Sequence, residues 1–271
     1  MNNSRQPVGI FDSGVGGLTV MKELFETLPH ENTIYLGDTA RVPYGIRSPE
    51  TVIRYSFENA RFLSSKDIKV LVIACNTASS VGLEALRSSL SVPVVGVIEP
   101  GANAAVVATR NKKVGVIGTE ATIRSGSYTR AIQALDPSIE VFGVPCPLFV
   151  PLVEEGWTEG EITELVAKRY LSAMNKMSID TLVLGCTHYP LLKAVLSQVM
   201  GSSVSLIDSA IETAREVSAV LDTEGIRNST DSSARHEFFV TDSPGKFLSV
   251  GERFLGRQIE SIQQIQLEME V

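Results

Sequence analysis

The feature that most constrains this chain is a regular alternation of short apolar runs with longer amphipathic stretches. Runs rich in Val, Ile and Leu fall at 7–11, 33–36, 70–74, 92–97, 113–117, 140–144, 181–184 and 204–206, with a later candidate at 236–240. They lack polar alternation, as strands buried on both faces do. Helical patterns fill 17–27, 49–64, 77–90, 101–109, 123–135, 161–176, 190–200 and 210–221. Such alternation predicts parallel sheets covered by helices, joined by right-handed crossovers. The expected fold class is α/β.

Internal similarity adds a second constraint. "VGIFDSG" (8–14) resembles "VGVIGTE" (114–120), and "LVIACNT" (71–77) resembles "LVLGCT" (182–187). Val8 and Val114 are 106 positions apart, and Cys75 and Cys186 are 111 apart. Two units of this size in the same order suggest a duplicated α/β domain. Sites in parallel sheets form beyond the carboxyl ends of strands, which is where Asp12, Cys75, Thr119 and Cys186 fall. If the two sheets face one another, the two thiols approach one cleft from opposite sides. The expected division is a first domain of residues 1–98 plus 208–271 and a second of 99–207. "VIEPG" and "LIDSA" are the expected crossing points.

Composition narrows the function classes. A chain of 271 residues favours two domains, and 44% apolar with 20% charged residues is a folded globular composition. The net charge of −7, without a basic cluster, argues against a nucleic-acid partner. No apolar run approaches the roughly 20 residues needed to cross a bilayer, and "MNNSRQPVGIFDSG" lacks signal-peptide features. The expectation is a cytoplasmic protein with no membrane partner. Its three cysteines are then free thiols rather than a disulfide framework.

Cys75 and Cys186 each end an apolar run and precede helix-start residues, Asn76-Thr77 and Thr187. Orphan backbone N–H groups at a helix start favour a thiolate. A free thiol of pKa about 8.5 is only roughly 3% ionised at pH 7. Bringing it to about 7 requires about 2 kcal/mol, near the top of what one helix terminus supplies, so a further neighbour is expected. Packing as buried small hydrophobes is the structural alternative.

Two chemical alternatives stand beside a paired-thiol site. Zinc is weakly supported, because Cys186 and His188 are two apart but no Cys-x-x-Cys or paired-His motif occurs. A hydrolase or transferase using Cys186 with His188 as base leaves Cys75 idle. Cys146, between two prolines, follows no comparable junction and is assigned to packing.

"FDSGVGGLTV" (11–20) resembles a glycine-rich phosphate loop but lacks both the dinucleotide and the P-loop signatures. Its Asp12 and Ser13 either cap a helix or meet an ammonium or a proton. "YLGDTARVPYG" (35–45) reads as a polar loop turned by Pro43 and Gly45. Glu154 and Glu155 read as a solvated helical face, and the C-terminal "RQIESIQQIQLEMEV" as an amphipathic cover for the core.

Taken together, these motifs have a recognisable order. Asp12-Ser13-Gly14, Pro43-Tyr44-Gly45, Ala74-Cys75-Asn76-Thr77, Gly185-Cys186-Thr187-His188-Tyr189-Pro190 and Ile207-Asp208-Ser209 resemble the glutamate racemases. These belong to the cofactor-independent aspartate/glutamate racemases. The resemblance runs from near residue 7 to beyond 209, and the chain after about 225 adds little to it.

The resemblance implies two pseudo-symmetric α/β domains with the active site between them, and two-base proton transfer through both cysteines. Cys75 would deprotonate D-glutamate with Asp12 assisting. Cys186 would deprotonate L-glutamate with Glu154 and His188 assisting. Substrate contacts would map to Asp12, Ser13, Pro43, Tyr44, Gly45, Asn76, Thr77, Thr119, Thr187 and His188. No cofactor and no metal are implied. A homodimer is implied, as is D-glutamate supply to peptidoglycan synthesis. An aspartate-specific racemase and a non-catalytic amino-acid-binding module are the remaining alternatives.

Overall fold

The computed structural model describes residues 3–230 and 233–267. In its first part β1 (Val8–Asp12), α1 (Leu18–Thr27), β2 (Thr33–Gly37), α2 (Pro49–Ser64), β3 (Val70–Ile73), α3 (Asn76–Ser89) and β4 (Val94–Gly96) follow in turn. The middle holds α4 (Ile98–Ala108), β5 (Lys113–Gly118), α5 (Glu120–Ser125), α6 (Ser127–Leu135), β6 (Glu140–Pro145) and α7 (Phe149–Glu154). It continues through α8 (Glu161–Met177), β7 (Thr181–Gly185), α9 (Lys193–Met200) and β8 (Ser205–Asp208). The last part is α10 (Ser209–Thr223), β9 (His236–Val240), α11 (Pro244–Leu255) and β10 (Gln263–Gln264).

Two sheets result, of order β10-β9-β2-β1-β3-β4 and β6-β5-β7-β8, and every pairing is parallel. The protein has two parallel-sheet α/β domains. β1, β2, β3 and β7 are buried at every residue, as expected of strands covered on both faces.

The second sheet repeats the inner order of the first: β2-β1-β3-β4 corresponds to β6-β5-β7-β8. The register carries the correspondence to single residues. Val8 pairs with Val70, and Val114 pairs with Thr181. Cys75 and Cys186 each lie five residues beyond those partners. The two thiols therefore occupy equivalent places in the two units.

Differences from the expected elements have local causes. The helix expected at 123–135 is two helices, because Gly126 takes a left-handed conformation (φ +66°) that ends α5 and opens α6. The helix expected from residue 101 starts at Ile98, since Pro100 lies in its first turn, where an N–H has no intrahelical acceptor anyway. The stretch at 190–200 opens as a 3₁₀ turn, Tyr189–Leu192, before α9.

α11 was not anticipated, although its sequence carries Pro244 near the start, Phe247, Val250 and Phe254 at helical spacing, and Gly256 at the end. The C-terminal stretch expected as a cover contributes β10 to the edge of the first sheet and buries Ile259. Residues 268–271 of that stretch lie outside the described residues. Among the described residues no helix is long and apolar enough to cross a membrane.

Candidate active site between the two sheets

A cavity of about 170 Å³ lies at the carboxyl ends of the central strands of both sheets. From the first domain, Ser13, Pro43, Tyr44, Gly45, Cys75, Asn76 and Thr77 line it. From the second, Thr119, Cys186, Thr187 and His188 do. Eleven of the thirteen residues singled out in the sequence thus meet at one cavity. Asp12 and Glu154 do not line it but stand immediately behind it. Val42, Ile46, Glu120, Pro147, Val150 and Pro151 complete its walls, and no sequence motif pointed to them.

Each thiol is placed by a strand that runs straight into a helical turn. Cys75 is the residue before α3, with extended backbone, and the N–H groups opening α3 have no intrahelical acceptor. Its thiol donates to Ser13 Oγ at 3.6 Å. Cys186 precedes the 3₁₀ turn, and its Sγ lies 3.9 Å from His188 Nδ1. The opposite ring nitrogen, His188 Nε2, is 3.2 Å from Glu154 Oε1. Both thiols are buried, each 6% exposed.

The electrostatics of the two halves differ. Burial pushes the Cys75 thiol up to about 12; the Asp12 carboxylate adds to this, and the Ala78 N–H opposes it. A helix start was expected to favour the thiolate, but burial outweighs it. Asp12 is itself raised, by burial in the first place, against the His188 charge and the backbone N–H groups of Gly14, Gly17 and Ser13. Its Oδ2 accepts from Gly14 N–H at 2.8 Å, while Oδ1 has no partner.

His188 is pushed the other way, up to about 10. Burial opposes its charge, yet the hydrogen bonds to Cys186 and Glu154 outweigh burial. Glu154 is held below the usual carboxylate range, chiefly by that same His188 contact. The helical pair Glu154-Glu155 is therefore more than a solvated face. The first domain supports it: Arg253 of α11 donates to the Glu154 carbonyl at 2.5 Å, and Phe254 sets its ring edge against His188, 5.1 Å between centroids.

The domains meet at glycines. A Cβ on Gly16 would stand 2.1 Å from Thr187 Oγ1 and 2.6 Å from His188 Nδ1, and one on Gly45 would stand 2.8 Å from Thr119 Cβ. Thr19 Oγ1 donates across the cleft to Thr187 O at 3.1 Å, and Tyr128 OH to Asn76 Oδ1 at 2.7 Å. Asn76 Nδ2 is left buried without a partner at the cavity wall, a donor suited to a carboxylate.

Tyr44 contributes differently from what the loop suggested. Its hydroxyl donates to Asp38, and Asn59 donates to it at 3.0 Å. Arg41 ties Asp38 to Glu58, so the loop is fixed by a buried polar network. Cys146 is fully buried, its thiol on Val144 O at 3.6 Å, as its assignment to packing anticipated. Among the described residues no three His, Cys, Asp or Glu side chains gather as a metal site.

A family model for Asp/Glu/Hydantoin racemase matches residues 9–217. The chain belongs to the Asp/Glu/hydantoin racemase family. A glutamate racemase of Geobacter metallireducens is 57% identical over 263 residues, 97% of each chain. Glutamate racemase of Francisella tularensis, solved in complex with D-glutamate, superposes with a TM-score of 0.92 at 40% identity, covering 98% of this chain and 99% of that one. The isoform RacE1 glutamate racemase of Bacillus anthracis gives 0.94 at 43% identity, covering 97% and 98%. Family membership makes the chain an amino-acid racemase and fits its doubled architecture.

Proposed function

We propose that this racemase interconverts L-glutamate and D-glutamate by proton transfer between two thiols on opposite faces of the substrate. The observation that carries the reading is the shared cavity, entered by Cys75 and Cys186 from equivalent strand ends of two sheets. Removing the α-proton leaves a planar carbanion-like centre, and inversion requires a proton from the other face. One group must accept while the other holds a proton to give.

In this reading Cys186 takes the α-proton of L-glutamate, with Glu154–His188 receiving or returning charge beside it. Cys75 takes the α-proton of D-glutamate, with Asp12 behind it. The Cys75 thiol, held protonated by burial, can deliver a proton to the carbanion formed from L-glutamate. For the reverse direction its thiolate must form against the burial that holds the thiol protonated. The substrate ammonium supplies positive charge for that step, and Asp12 Oδ1, without a partner, is placed to draw it in. The unpartnered Asn76 Nδ2 and the opening N–H groups of α3 suit the substrate carboxylates, with Ser13, Thr77, Thr119 and Thr187 around them.

The same proposal divides the chain into residues 1–98 plus 208–271 and 99–207; the change of sheet between β4 and β5, and again after β8, supports it. The family resemblance supports a cytoplasmic homodimer that supplies D-glutamate for peptidoglycan synthesis. Neither proton-transfer step needs a cofactor, since both acid–base groups are protein thiols.

The test is circular dichroism of L- and D-glutamate in deuterated water, with α-carbon deuterium read by mass spectrometry. Loss of optical signal with deuterium entering at the α-carbon is expected. No interconversion and no exchange by the purified protein would sink the reading. A higher kcat/KM for aspartate than for glutamate would move it to the aspartate enzymes, one methylene away.

A further inference from the structure

Asn76 engages only one end of its amide. Its Oδ1 accepts from Tyr128 OH at 2.7 Å, while Nδ2 has no partner and the residue lines the cavity. The two ends of an amide have nearly the same shape and opposite polarity. Turned over, this one would donate from Nδ2 to the phenol and face the cavity with an oxygen, which repels a carboxylate. The group that holds Oδ1 therefore decides whether the cavity meets a donor or an acceptor.

Tyr128 has little freedom to do otherwise. It lies on α6, whereas Asn76 opens α3 in the first domain. Its side chain is buried, 3% exposed, and its ring is slotted between two glycines. A Cβ on Gly101 of α4 would stand 3.2 Å from Tyr128 Cε1 and 3.3 Å from its hydroxyl oxygen. One on Gly185, the residue before Cys186, would stand 3.1 Å from Cε2. Burial pushes the phenol up, against a hydrogen bond from Ser209, so the hydroxyl keeps its proton for Asn76.

We propose that Tyr128 is a positioning residue for substrate binding, fixing the Asn76 amide so that Nδ2 donates to a substrate carboxylate. This rests on the glutamate reading above. Tyr128 is not among the residues lining the cavity, so it acts through Asn76 rather than on the substrate. Among the described residues no arginine or lysine lines the cavity either. Carboxylate binding there draws on amide, hydroxyl and backbone N–H donors, and one amide turned the wrong way is felt. Because Tyr128 and Asn76 belong to different domains, the amide is set only when the domains are seated together.

The experiment is a double-mutant cycle on the full-length protein: Tyr128→Phe, Asn76→Ala and both together. It is read by calorimetric titration with D-glutamate and by racemisation kinetics; conversion of the ligand adds no heat, since the enantiomers are equal in energy. Tyr128→Phe keeps the ring between its glycines and should weaken binding about tenfold. KM for both enantiomers should rise by about the same factor, with kcat within about threefold. In an Asn76→Ala background the same change should cost less than about twofold, because the group it acts through is gone. Asn76→Asp keeps an acceptor for Tyr128 but turns an oxygen to the cavity, and should bind at least about tenfold more weakly; a mere tie between domains predicts wild-type binding there. That variant also decides the matter if Tyr128→Phe does not fold. Unchanged affinity in Tyr128→Phe, equal losses in the Asn76 and Asn76→Ala backgrounds, or wild-type affinity in Asn76→Asp would each overturn the assignment. Wild-type protein that binds no glutamate overturns it together with the glutamate reading, whereas binding without racemisation overturns only the catalytic reading.

Discussion

The two halves of the catalytic cavity are the same in position and different in chemistry. Cys75 and Cys186 stand at matching points of two repeated strand orders. Around Cys75 the neighbours are Ser13 and a buried Asp12, and the thiol is held protonated. Around Cys186 the neighbours are His188 and, through it, Glu154, and the imidazole is held charged. The repeated strand order places two equivalent sulfurs, and their neighbours are unlike. The difference cannot favour one product. Enantiomers are equal in energy, so kcat/KM must be the same in both directions for the wild type and for every variant. Asymmetry between the halves must appear in kcat and KM separately, or in proton exchange without inversion.

The hardest break in this comparison is to delete one half. Cys75→Ala and Cys186→Ala should each lower racemisation by about 10³-fold or more, within the range of general acid–base catalysis, followed by circular dichroism. Cys186→Ala should still exchange the α-hydrogen of D-glutamate, and Cys75→Ala that of L-glutamate. Exchange of the opposite enantiomer in either variant would reverse the assigned faces.

A smaller effect should follow from separating the halves while keeping both thiols. Gly16→Ala puts a methyl group against Thr187 and His188, so the second domain must retreat. Misplacement by about 1 Å costs about 10²-fold in kcat/KM. Gly245→Ala, with nothing near its added Cβ, is the control and should stay within about twofold.

Glu154→Gln should cost roughly tenfold in kcat and sharpen the contrast through pH. His188 is raised to about 10 in the folded state from 6.5. The stability its partners confer is therefore fully present below about pH 6.5 and is lost as pH rises through 10. Urea unfolding should show wild type more stable than Glu154→Gln near neutral pH, with the gap narrowing toward pH 10. A gap independent of pH would remove Glu154 from the His188 charge.

The smallest effect belongs to the other half. Asp12→Asn removes one of the causes holding Cys75 protonated but leaves burial, the larger one. Alkylation of Cys75 by iodoacetamide at pH 8, read by peptide mass mapping, should rise only a few fold.

Much of this was legible before folding. All nine expected strands form, and β1, β2, β3 and β7, buried at every residue, write that burial as unbroken apolar runs. The thiols stood out because strand, Cys and helix-start residue are neighbours in the chain. Less visible were the partners. Glu154 precedes His188 by 34 positions, and a helical Glu-Glu pair looks the same whether it faces solvent or a histidine. α11 went unnoticed, yet its Arg253 and Phe254 support that pair from the other domain. Asp38, Arg41, Glu58 and Asn59, which fix the Tyr44 loop, carried no motif at all.

By itself, then, the sequence determined the α/β class, the doubled unit and the placing of a thiol at each central strand end, since short-range apolar patterning dictates all three. Tertiary structure decided which groups surround each sulfur, and that Gly16 must lack a side chain for Thr187 to approach. Those facts depend on how one domain is turned against the other. That orientation is set by contacts between residues far apart in the chain, 52 positions for Tyr128 with Asn76 and 168 for Thr19 with Thr187, which no local pattern records.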